Sequence, residues 1–197
     1  QVVRHSFWLL AFIAVTVLTQ IGGIAVAIVW FFARHKVEGP LAFRANRAMA
    51  SLFMVVLFYT LLTSVIVPPV AGHFGRVRLS CEATPAYPLR AAHPLYCWLN
   101  RNYADPRLRD LVVTLAGEME RAHAGTVTVF LDAGFPFLNG FPLLPHLSHD
   151  DGRKLDLAFY YRDERGDYAA GVTRSPIGYW AFEQPRATDA PSCERES

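Results

Sequence analysis

The sequence predicts an α+β protein in which two transmembrane helices, at about residues 7–33 and 48–67, carry a small soluble domain of one helix and an antiparallel sheet. Three observations predict it. Two long runs near the N-terminus lack any charged side chain, the segment after residue 104 has a helical apolar period, and short alternating runs follow it. With a formal net charge of only +2, dispersed basic residues and no evident recognition helix, the chain offers no footprint for nucleic acid.

The first run, FWLLAFIAVTVLTQIGGIAVAIVWFFA (Phe7 to Ala33), exceeds the roughly 20 apolar residues a helix needs to cross a bilayer. A signal h-region is shorter, roughly 7–15 residues, and a core helix of a soluble protein shows a polar stripe. Gly22-Gly23 lets helices approach closely. The second run, Ala48 to Ala71, spans until Pro68-Pro69 stop the helix, because proline lacks the N–H that the ladder needs. Arg34, Lys36, Arg44 and Arg47 mark the loop between the spans as cytoplasmic, which puts both termini and the domain after Gly72 outside. Arg4, Arg76 and Arg78 oppose that orientation.

Residues 1–72 thus form the anchor, 73–104 a Pro- and aromatic-rich connecting segment, and 105–197 the domain. Cys81 and Cys97 either close a modest loop as a disulfide or remain free thiols, with Cys193 left over. Asp105 is a good N-cap with Pro106 at the first helical position, and Leu108, Leu111, Val112, Leu115 and Met119 keep the period until Gly125. Residues 126–132 (TVTVFLD) read as a buried strand, and a long Pro-, Gly- and aromatic-rich loop follows. Residues 154–161 (KLDLAFYY) alternate as a strand, and DERGDY, residues 163–168, turns into a further strand near 168–172.

The chemistry concentrates in HLSHDDGRKLD, residues 146–156. A histidine opens a turn containing Gly152, and a carboxylate lies seven residues on in the strand the turn feeds. Asp156, between Leu155 and Leu157, is costly to bury unpaired and needs a cation, Arg153 being one candidate. His149, Gly152 and Asp156, with Leu155-Asp156-Leu157, resemble the signature Ser-x-His-x-x-Gly-x-Ala-x-Asp of the LAS-type zinc metallopeptidases, the group of D-Ala-D-Ala carboxypeptidases, murein endopeptidases and the Hedgehog domain. Here Ser148 directly precedes His149 and Lys154 stands at the family's alanine.

The resemblance implies a Hedgehog/DD-peptidase-like fold, with His149 and Asp156 as ligands of Zn2+. The family takes a third ligand from a downstream histidine, and no histidine follows His149. Three readings stand: the chain is a fragment truncated before that ligand and the general base, which the zinc ligand count favours; His146 substitutes; or the metal is lost. His146, Ser148, Asp151 and Arg153 are candidates for contacts to substrate or to the ligands. Set against this, His146 reads as an ordinary loop histidine, Asp150 and Asp151 as a solvated turn, and His123 as a helix-C-terminal charge. By resemblance the expected function is a membrane-anchored zinc peptidase acting on peptidoglycan peptides, in a bacterial inner (plasma) membrane with its domain facing the periplasm or exterior. The competing expectation is a non-catalytic membrane-anchored binding or assembly protein.

Overall fold

The computed structural model describes residues 2–33, 41–163 and 165–169, and over them the chain is mixed α and β. The expected single helix over 7–33 is instead two helices, α1 (Val2–Thr19) and α2 (Gly22–Ala33). Local chemistry causes the break. Thr16 and Thr19 turn their hydroxyls back onto the carbonyls of Phe12 and Val15, and Thr19 Oγ1 also accepts from Gly22 N at 2.8 Å. Gln20 adopts φ +66°. The chain then folds back on itself. A Cβ on Gly22 would strike Val15 and Thr19, and one on Gly23 would strike Thr16 and Phe12, so only glycine lets the arms lie this close. His5 meets Trp30 at the open end, with ring centroids 6.4 Å apart.

α3 (Leu41–Leu61) runs into a π-helical turn at Leu62–Ile66 and then into α4 (Val67–His73). The prolines therefore do not stop the helix. Val67 N bonds back to Leu62 O across the widened turn, and Pro68 and Pro69 fall in the first turn of α4, where an N–H is least missed. Ala45–His73 is one 29-residue stretch long and apolar enough to cross a membrane. Its C-terminal part buries a single stripe at four-residue steps, Tyr59, Thr63, Val67 and Ala71. Tyr59, Val67 and Ala71 form one cluster with Ile21, Ala25 and Tyr103, so hairpin tip, long helix and domain share a core.

Segment 73–104 is not a mere connection. It supplies β1 (Val77–Arg78), β2 (Leu89–Ala91), α5 (Pro94–Trp98) and β3 (Tyr103–Ala104), and Cys81 and Cys97 are disulfide-bonded across it. α6 (Pro106–Ala122) starts as its sequence directs, with Asp105 accepting from Arg107 N. β4 (Thr128–Phe130) pairs with β2 in parallel, where an antiparallel sheet was expected, because α5, β3 and α6 intervene and carry the chain across. β1 and β3 pair antiparallel. Leu79, Leu89, Ala91, Cys97, Val112, Ala116 and Phe130 make the domain core.

In place of a full strand over 154–161, residues 156–158 run antiparallel along β4, with Leu131 N and Ala158 N bonding to Asp156 O and Val129 O. The DERGDY turn closes with Arg162 bridging Tyr168. The strand expected near 168–172 lies mostly outside the described residues.

Candidate metal centre

Three ligand-type side chains converge beside β4. Nitrogens of His146 and His149 and a carboxylate oxygen of Asp156 lie within 4.8 Å of one another, a group able to hold a metal ion. Asp156 is set by main-chain bonds on both sides, its N to Asp132 O at 2.8 Å and its O from Leu131 N at 2.9 Å. The two histidines come from the loop after β4, where His149 N bonds back to His146 O.

The ring of His149 is buried, and its Nδ1 lies 2.8 Å from the carbonyl of Ala133. A carbonyl only accepts, so Nδ1 carries a proton, and Nε2 faces Asp156 Oδ1 from 3.2 Å. That contact is met either by a second proton on the ring or by a metal ion shared between Nε2 and the carboxylate. Asp156 Oδ2 is sealed from solvent and faces His146 Nδ1 at 2.8 Å, with no aligned hydrogen bond. A carboxylate shielded from solvent and flanked by two imidazoles is a donor set that a divalent ion can share. Tetrahedral zinc, with bonds of about 2.0–2.2 Å, separates its ligand atoms by roughly 3.3 Å, close to the His149–Asp156 edge. His146 and Asp156 are about a quarter exposed (26% and 29%), which leaves one side open to solvent.

The supporting shell is specific. Gly152 has φ +72°, and any Cβ there would meet the guanidinium of Arg76, which packs under the turn and donates to Asn139 Oδ1. Burial pulls the Arg76 guanidinium below its ordinary pKa, while Asp151 and Asp105 pull it back up. Lys154 Nζ donates to Ser148 O at 2.6 Å and lies 3.6 Å from Asp151. The backbone N–H of Arg153 holds the Asp151 carboxyl below the usual range. Ser148, Asp151 and Arg153 thus staple the turn and do not join the ligand group among the described residues. Arg153 is exposed, so the pairing considered for Asp156 goes to the histidines instead. His123 caps the end of α6, away from the group.

One pair was missed in the sequence. Arg101 forks onto the fully buried Asp132 through Nε and Nη2, and its Nη1 donates to Leu144 O at 2.8 Å. That guanidinium joins the backbone beside Asp156 to the loop two residues before His146. The signal was there: Asp132 ends an apolar strand, the same anomaly that singled out Asp156.

No protein-family model, curated protein or solved structure matches this chain.

Proposed function

We propose that the chain is a membrane-anchored zinc peptidase acting on cell-wall peptides at the outer face of a bacterial plasma membrane. The observation that carries this reading is the convergence of His146, His149 and Asp156 on a sealed carboxylate oxygen. Two imidazoles and one carboxylate make a set that zinc accepts, with the fourth position left to water or substrate. When bound there, zinc supplies Lewis acidity and lowers the pKa of its water to about 7.

The chain's own residues do the positioning. The Ala133 carbonyl fixes the tautomer and plane of His149, Arg101 and Asp132 hold the two halves of the centre together, and Arg76 supports the turn at Gly152. Peptide substrates are favoured by the resemblance of His149, Gly152 and Asp156 to the carboxypeptidase and endopeptidase motif. Anchoring is supported by the apolar stretch Ala45–His73, and an oxidising location by the Cys81–Cys97 disulfide.

Metal content of the purified full chain, before and after His149→Ala, tests the ligands, and release of D-alanine from a D-Ala-D-Ala peptide tests the chemistry. Zinc bound without cleavage of cell-wall peptides would move the chain to the binding or assembly class. Unchanged zinc in the variant rejects the centre itself.

A further inference from the structure

The long helix is longer than a bilayer needs. Its 29 residues rise about 44 Å at 1.5 Å each, against about 30 Å of hydrocarbon. If Ala45 marks the inner boundary, the outer one falls near Ser64, roughly 20 residues on. That level is where the domain attaches. Tyr59 donates to the carbonyl of Trp98 and stacks edge-on against its ring, and Asn100 Nδ2 reaches both Tyr59 Oη at 3.1 Å and Thr63 Oγ1 at 3.2 Å. At the hairpin tip Gln20 accepts from Phe137 N at 2.9 Å.

The metal centre hangs from these same attachments. Arg101, next to Asn100, holds the carbonyl of Leu144, and Phe137 begins the stretch that leads to His146 and His149. On that loop Leu138, Leu144 and Leu147 are exposed at 58%, 48% and 60%, with no protein over them. Trp98 is 44% exposed at the height of the helix exit, the depth at which tryptophan concentrates in membrane proteins. Exposed leucines on a loop tied to the hairpin tip through Phe137 and to the segment next to Trp98 through Arg101 are suited to cover by the bilayer.

We propose that Leu138, Leu144 and Leu147 rest, with Trp98, on the surface of the bilayer that the long helix crosses, so that the centre acts on peptides carried at headgroup depth by a lipid anchor. The substrate half rests on the peptidase reading above; the surface contact does not.

The test uses the full chain with Cys193→Ser, an environment-sensitive dye on Leu138→Cys or Leu147→Cys, and vesicles of phosphatidylethanolamine and phosphatidylglycerol. Lipids carrying a nitroxide near the headgroup should quench both dyes; undiminished emission at both positions overturns the contact. On the same vesicles, a dansylated peptide ending in D-Ala-D-Ala and coupled to phosphatidylethanolamine should be cleaved about tenfold faster than the free peptide, because tethering raises its local concentration. Equal rates with quenched dyes overturn the substrate class. A full-length protein that binds no added zinc and cleaves neither peptide overturns the peptidase reading, while the quenching still decides the contact.

Discussion

His149 stands between Ala133 and Asp156, giving its Nδ1 to the carbonyl at 2.8 Å and aiming its Nε2 at the carboxylate from 3.2 Å. A ring fixed this way has little to lose in entropy when an ion arrives. Binding that favours the folded state adds stability, about 2.7 kcal/mol when free metal is a hundred times its dissociation constant. Zinc should therefore raise the melting temperature of the chelator-treated protein, followed through tryptophan emission, and His149→Ala should abolish the rise. Superimposable melting curves with and without zinc would contradict the centre.

Much of this centre was legible because its parts are local. Asp105-Pro106 starts α6 and the β-branched run around Thr128 makes β4, each through its own backbone preference. His149, Gly152 and Asp156 lie within one turn and the segment after it. What stayed hidden depends on partners distant in sequence. The core role of Leu79, Leu89 and Cys97 needs the parallel pairing of β2 with β4, and Arg101 declares itself only when Asp132 arrives 31 residues later. The hairpin deceived for another reason. Thr16, Thr19 and Gly22-Gly23 are individually tolerated in an apolar helix, and the break comes from their combination around Gln20.

His146 decides how the third ligand is supplied. Its Nδ1 lies 2.8 Å from Asp156 Oδ2, which puts it in the group rather than in an ordinary loop. His146→Ala should weaken zinc affinity by more than the roughly 10–100-fold typical of losing a group that merely orients a ligand. Competition with a fluorescent chelator measures this directly. An unaltered affinity would send the search for the third ligand elsewhere in the chain.

Arg101 and Asp132 form a buried ion pair, and one partner without the other leaves an uncompensated charge. Arg101→Ala should cost about 3–5 kcal/mol, and replacing both by apolar residues of similar size should cost much less. Denaturant titration of the single and double variants separates the two. Because Arg101 also holds Leu144 O, the double variant should recover stability while its zinc affinity stays reduced. Full recovery of both would show that the pair serves the fold alone.

The folded-back hairpin changes what the basic residues say about orientation. A single helix over 7–33 would have set Arg4 across the membrane from Arg34 and Lys36, a conflict of like signals. Because His5 meets Trp30, the start of α1 and the end of α2 lie together, opposite the tip that touches Phe137. If the segment between α2 and α3 is cytoplasmic, as the bias of Lys and Arg toward that face predicts, the start of α1 at His5 lies on the same side. In intact cells expressing the full chain with Cys193→Ser, a membrane-impermeant maleimide should label Glu118→Cys in the domain. It should leave Ser6→Cys unlabelled until the membrane is permeabilised. Labelling of both before permeabilisation would mean that the N-terminus shares the domain's side, and that the hairpin does not sit in the bilayer with its tip outward.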